Sequence, residues 1–247
     1  MTYELSMKDI LLIDKPKGIT SFDCIRILRC NLGVKKLGHA GTLDPMATGL
    51  MVIGVGEGTK SLGQYLKFSK TYEAEILLGL HTNTGDIEGR ELPISNDHFP
   101  NNTQISKISN EEIRKIFAGM VGKLQLPVPV YSAVKRGGEA LYKKARRGEV
   151  VDAPVKTMEV ISAEFLGMER RKNLAFAHGR EQMLKNQDKA DVNGIVVHAR
   201  FDVCSGTYVR SLAEEFGRRL GIPATLSGLR RTSIGEFKVE DAKSLEK

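Results

Sequence analysis

The chain has 247 residues, a net charge of +7 and a pI near 9.2, and 41% of its residues are hydrophobic. That is enough apolar material for a real core in one large domain or two small ones, and it excludes a disordered or fibrous chain. The basic surplus suits a polyanionic partner without proving one, and the absence of Trp, with aromatics at 6%, argues against broad base-stacking platforms.

In chain order, Ile10, Leu11, Leu12 and Ile13 read as a short buried strand that the run from Asp14 to Gly18 breaks. Thr20 or Ser21 then caps a helix with Phe22, Ile25, Leu28 and Leu32 on one face, closed by Gly33. The stretch Gly38-His39-Ala40-Gly41-Thr42-Leu43-Asp44-Pro45-Met46-Ala47-Thr48-Gly49 follows, with three glycines, a histidine and a single carboxylate. Glycine lets backbone approach a ligand closely, and Pro45 pushes Asp44 out of helical geometry. Asp44 is therefore expected on a stiff loop leading into a buried strand over residues 50–55, where a reactive carboxylate would be held. The plainer reading of the same spacing is a turn in which Asp44 bonds nearby amides. The run Gly56-Glu57-Gly58-Thr59-Lys60 lacks the spacing of a phosphate-binding loop, so Thr59 is read as the cap of a helix over 60–66.

Tyr72, Ala74, Ile76 and Leu78 alternate with polar residues as a strand does, which points Tyr72 inward. A turn-rich run, Thr82 to Gly89, precedes an irregular polar stretch over 91–108. Ser109 and Glu112 then form a capping box ahead of Ile113, Ile116, Phe117 and Met120. Prolines extend the segment 126–131. A helix over 141–147 carries Lys143, Lys144, Arg146 and Arg147 on a face that is either merely solvated or fit for an RNA backbone, and Gly148 ends it. Residues 156–165 alternate as a strand, 169–193 read as a polar insertion, and Ile195, Val197, Ala199, Phe201 and Val203 form the partner strand. Thr207 opens a helix ended by Gly221. Arg210 in its first turn opposes the helix dipole, so a carboxylate partner is expected, with Asp44 the candidate. A polar tail follows Gly235.

Cys24, Cys30 and Cys204 are odd in number and form no C-x-x-C pair, which argues against a disulfide framework or zinc site and points to a reducing cytoplasm. His39, His81, His98, His178 and His198 show no ligand spacing. No metal and no cofactor are expected. No apolar run approaches membrane-spanning length, so no membrane association is expected either. Strands and helices mix without regular alternation, which predicts an α+β fold with a largely antiparallel mixed sheet flanked by helices.

The stretch from Gly38 to Leu50 resembles the catalytic motif of the TruB family of pseudouridine synthases. Four further blocks stand in that family's order: Asp14 to Ser21, Lys70-Thr71-Tyr72, Tyr131 to Lys135, and Gly206 to Leu212. Thr82 to Gly89 matches its T-x-T-x-D-x-x-G run. The resemblance implies one catalytic domain over 1–240, with a thumb-like RNA-binding segment at 127–152 that grips the tRNA T-arm, and a tail over 241–247. Val128 departs from the family's adjacent prolines. Bacterial members usually carry a C-terminal PUA domain, and this chain is expected to lack it or keep a stub.

The implied activity is isomerisation of uridine to pseudouridine at position 55 of the tRNA T-arm, by a monomer, without cofactor. Asp44, Tyr72 and Arg210 would be catalytic. Asp44 could attack the sugar carbon, take the sugar proton or attack the ring, and Arg210 would favour its ionised form. The target base must be flipped out of its stack. By resemblance His39 fills or supports the disrupted T-loop, while Tyr72 stacks on the base with its hydroxyl a candidate proton shuttle. Lys15, Thr42, Tyr208 and Leu229 buttress or line the pocket, and Lys143, Lys144, Arg146 and Arg147 hold RNA. Plain core packing is the competing reading for Tyr72, Tyr208 and Leu229. Competing functions are a non-catalytic RNA-folding module, the catalytic subunit of a guide-RNA particle, and a sugar hydrolase. The last would need a second carboxylate motif near Asp44, and none is visible.

Overall fold

The computed structural model describes residues 10–93, 108–171 and 194–245, and the chain divides into two compact units. The first comprises Met1–Glu73, Asp202–Ser205 and Leu229–Lys247; the second comprises Ala74–Phe201 and Gly206–Gly228. Strands β4 (Lys70–Leu78), β9 (Gly194–Val203) and β10 (Ala224–Ile234) contribute residues to both.

In the first unit, β1 (Ile10–Lys15) pairs antiparallel with β3 (Thr48–Val55), from Ile10 opposite Gly54 to Lys15 opposite Gly49. The short β2 (Leu37–His39) also pairs antiparallel with β3, and β10 pairs parallel with it through Arg230 and Arg231. The sheet is thus mixed, as the sequence predicts. Every residue of β3 from Gly49 to Val55 is buried, which explains a continuous apolar run in place of an alternating one. Ala40, Leu50, Val52, Leu62, Ile234 and Val239 form a core cluster of this unit.

Helix α1 (Ser21–Leu32) starts as expected: Thr20 and Asp23 form a reciprocal capping box, and Gly33 closes the helix in the left-handed region at φ 65°. Its buried face is Ser21, Cys24, Ile25 and Leu28, spaced i, i+3, i+4, i+7, and Phe22 lies off it at 59% exposed. The apolar residue was the misleading cue. The small Ser21 and Cys24 take the close-packed positions, and Phe22 sits under the Arg29 guanidinium at 5.9 Å. The helix expected over 60–66 begins two residues late, as α2 (Leu62–Leu66), because Gly56–Ser61 make a 3₁₀ turn in which Thr59 Oγ1 donates back to Gly56 O at 2.7 Å. The tail is structured: Lys243–Ser244, the last strand, pairs parallel with β1.

In the second unit the neighbours run β4, β9, β8 (Val155–Arg171), β5 (Gly122–Pro127), with β5 and β8 antiparallel. Strand β8 outruns its expected end, so Glu169–Arg171 of the expected insertion are strand; residues 172–193, His178 among them, lie outside the described residues. Ser109 Oγ caps α3 (Asn110–Ala118) by accepting from Glu112 N at 3.1 Å. Phe117 of α3 stacks on Phe216 at 4.7 Å and meets Phe201 edge-on at 5.6 Å. Helix α4 (Leu141–Arg146) follows a two-residue hairpin, Lys135–Arg136 with Glu139–Ala140. Helix α5 (Val209–Leu220) begins two residues later than Thr207, because Thr207 Oγ1 donates to Glu159 O at 3.3 Å and Tyr208 takes the capping position in extended geometry.

Candidate active site

The loop between β2 and β3 carries Asp44, and its neighbours are tied down on both sides. Ser21 Oγ, at the start of α1, accepts from Leu43 N at 2.8 Å and donates to Leu43 O at 3.0 Å. Pro45 O accepts from Gly18 N at 2.8 Å and from Lys15 Nζ at 3.3 Å. Asp44, between them, remains partly exposed. This is the stiff, non-helical seat that Asp-Pro and the flanking glycines predict. Ser21, read from sequence only as a helix cap, is one of its main props. Lys15 is 0% exposed and donates to Pro16 O at 2.9 Å and Ile19 O at 2.7 Å. It buttresses the loop from inside, at the end of a strand that runs two residues past the expected break.

Two more buried cations lie beside the same loop, and one of them, Arg231, bonds it. Arg231 is 1% exposed; its Nε donates to Leu50 O at 2.7 Å and its Nη2 to Gly41 O at 3.1 Å. Lys70, 7% exposed, donates to Leu66 O at 2.9 Å and Phe68 O at 2.5 Å. Burial, and then the neighbouring Arg231 charge, push Lys70 down to about 8. Burial first and Arg231 second also lower His39, which keeps its imidazole neutral at pH 7. His39 Nδ1 is buried without a hydrogen-bond partner. Thr42 is exposed, Tyr72 is buried on β4, and Leu229 is half-buried on β10. The adjacent Arg230 points elsewhere, forking onto both Asp14 oxygens at 3.1 and 2.7 Å. The sequence assigns no role to Arg231, and none to Lys70 beyond its place in the Lys70-Thr71-Tyr72 block.

In the second unit Arg210 is 5% exposed at the start of α5. Its Nη1 donates to Thr84 O at 2.8 Å, its Nη2 to Tyr131 O at 3.0 Å, and its Nε lies 3.9 Å from Asp86 Oδ2. Asp86 is fixed in turn by Thr84 Oγ1 at 2.6 Å and Glu88 N at 3.1 Å. The Thr82–Gly89 run, left without a role by sequence reasoning, is therefore a seat for Arg210. One turn along α5, burial pushes Glu214 up to about 7, with Arg210 opposing and Asp86 adding to the rise. Tyr208 is half-buried ahead of the helix.

The basic helix is less uniform than its sequence. Lys143 and Arg146 are exposed, Lys144 is half-buried, and Arg146 stacks over Tyr142 at 5.4 Å. Arg147 is instead forked onto Glu139 at 2.6 and 2.8 Å and bonded to Glu149 at 2.7 Å. Among the described residues no group of three or more His, Cys, Asp or Glu could hold a metal ion, and no helix is long and apolar enough to cross a membrane.

The family model described as TruB family pseudouridylate synthase (N terminal domain) matches residues 29–209, which include Asp44, the Arg210 seat and α4. The chain belongs to the TruB family. It is 37% identical over 237 residues to tRNA pseudouridine synthase B of Xanthomonas oryzae pv. oryzae, covering 96% of this chain and 67% of that protein. It is 38% identical over 242 residues to the protein of the same name from Geobacillus thermodenitrificans, covering 97% and 71%. Among solved structures it is similar to a Cbf5-Nop10-Gar1 complex at 25% identity and TM-score 0.65, covering 97% of this chain and 53% of that one. An H/ACA RNP bound to a substrate RNA matches at 22% identity and TM-score 0.63, covering 97% and 51%, a likeness of fold. This TruB family chain thus spans about two thirds of the length of the curated relatives it matches and about half of these solved chains.

Proposed function

We propose that the chain isomerises uridine to pseudouridine in tRNA, at position 55 of the T-arm, with Asp44 as the reacting carboxylate. The observation that carries this reading is the seat of Asp44: the one carboxylate of the family's loop, held between Leu43 and Pro45, whose backbones are both anchored. The reaction breaks the C1′–N1 bond, turns the uracil and joins C5 to C1′, so a proton leaves C5 and N1 gains one. An ionised carboxylate at fixed position can serve the sugar carbon, the sugar proton or the ring. Arg210 is assigned the task of favouring that ionised form, since a guanidinium stays charged at every working pH. Tyr72 is assigned the stacking face of the flipped base, Tyr208 and Leu229 the lining of its pocket, and His39 and Thr42 the displaced T-loop. Lys143, Lys144 and Arg146 are assigned phosphate contacts. A cytoplasmic monomer acting without cofactor completes the proposal.

The test is purified protein with an unmodified tRNA transcript carrying tritium at uracil C5. Stoichiometric tritium release, mapped to the T-arm uridine and needing no guide RNA, is the expected result. Release only on addition of a guide RNA would favour the particle-subunit reading, and no release with tight tRNA binding would favour a non-catalytic RNA-folding module.

A further inference from the structure

The largest fully buried cation in the first unit has no role in the chemistry described so far. Arg231 is the largest fully buried side chain, yet its hydrogen bonds go to backbone carbonyls and to no carboxylate. Burying a guanidinium is costly unless its donors are satisfied, so a chain that keeps one there must gain from what it joins. The two carbonyls it joins are Gly41 O and Leu50 O, which bracket the loop bearing Asp44. Its backbone acts on the same loop. Gly49, at φ +107°, lies so close to Arg231 that a Cβ there would collide with the Arg231 backbone. At Gly41, φ +94°, a Cβ would stand 3.4 Å from Arg231 Nη1. Gly49 is thus matched to the Arg231 main chain, and Gly41 lies in contact range of its guanidinium.

We propose that Arg231 is a positioning residue: its guanidinium clamps the two ends of the 41–50 loop and so sets where the Asp44 carboxylate stands. A lysine in its place offers a single donor atom, in place of a planar fork whose Nε and Nη2 reach Leu50 O and Gly41 O separately. The loop would still be anchored at Leu43 and Pro45, so it would shift rather than melt. A displacement of about 1 Å at a reacting group can cost on the order of a hundredfold in rate. The inference rests on Asp44 being the reacting carboxylate.

The experiment compares wild type, Arg231→Lys, Arg231→Gln and Asp44→Asn on unmodified tRNA, by single-turnover rate, tRNA affinity and hydrogen exchange of the loop peptide. Arg231→Lys should lower the single-turnover rate by about 10- to 100-fold, leave tRNA affinity within about threefold, and speed exchange at residues 38–52 alone. A merely structural arginine would not split rate from affinity in this way. Should Arg231→Lys keep both the wild-type rate and wild-type loop exchange while Asp44→Asn is inactive, the clamp is wrong and the active-site reading stands. Should Asp44→Asn stay active, the active-site reading itself fails. If Arg231→Lys unfolds, Arg231→Gln, which keeps one donor, takes its place with the same expectation; unfolding of both would make Arg231 a general fold element and overturn the proposal.

Discussion

Lys70 and Arg231, beside the Asp44 loop, and Arg136 and Arg147, in the segment 127–152, are all cations held by oxygen atoms, but by different oxygens. The first two are buried and bonded to backbone carbonyls. The other two are exposed and paired with carboxylates: Arg136 with Asp152 at 2.7 Å, Arg147 with Glu139 and Glu149. A carbonyl satisfies a donor and leaves the charge in place, whereas a carboxylate cancels it. The loop therefore keeps a positive interior, the charges of Lys70 and Arg231, with no carboxylate among their bonds to cancel it. The thumb-like segment spends part of its apparent charge on exposed pairs within itself, each a weak, salt-screened contact. Counting lysines and arginines in the sequence treats the two regions alike and misjudges both.

The comparison breaks most visibly at Asp44. Asp44→Asn keeps the shape and removes the anion; product formation should fall by more than about a thousandfold, with tRNA affinity little changed. Turnover within tenfold of wild type, measured by tritium release, would falsify the assignment.

Lys70 sharpens the buried side of the comparison. Its value in the fold, about 8, is below the ordinary 10.5. Below pH 8 the group is charged in both states and its burial cost is fully present. Between 8 and 10.5 the unfolded chain holds a proton that the folded chain has shed, so stability rises with pH across that window. The contribution is up to about 3 kcal/mol. Wild type should therefore gain stability over that range relative to Lys70→Met in denaturant titrations. Parallel curves for the two proteins would mean that the ammonium is solvated after all.

On the exposed side, Lys143→Ala with Arg146→Ala should weaken tRNA binding by about tenfold at moderate salt and flatten the log–log salt slope by about 1.4 to 1.8. Arg147→Ala should leave that slope nearly unchanged while loosening the segment, read as faster proteolysis near α4. If the three replacements act alike, carboxylate pairing does not decide which cations meet RNA.

The smallest effect concerns His39. Burial and Arg231 both hold it below its ordinary 6.5, so its imidazole resonances should titrate below that pH. A midpoint above it would show that the positive interior does not reach the loop surface.

Much of the architecture was legible because it is local. Alternation along β4 and β9, the Thr20 and Ser109 caps, and the Gly33 and Gly221 stops depend on residues within a few positions of one another. The anchored loop at 38–49 was legible too, since glycines and an Asp-Pro step favour a stiff, non-helical loop. Phe22 was misread because periodicity weighs hydrophobicity, while close packing also weighs size.

The sequence by itself determined the mixed α+β class, the loop that carries Asp44 and the family to which the chain belongs. Only tertiary structure decided which charges are inside. Lys15, Lys70 and Arg231 look like solvated residues because the carbonyls that satisfy them come from turns and strand ends with no side-chain signature. Lys15 bonds Pro45 O, thirty positions away, and Arg231 bonds Leu50 O and Gly41 O across 181 and 190 positions. A backbone oxygen is present at every residue, so no pattern of residue types can mark the ones that a buried cation will find.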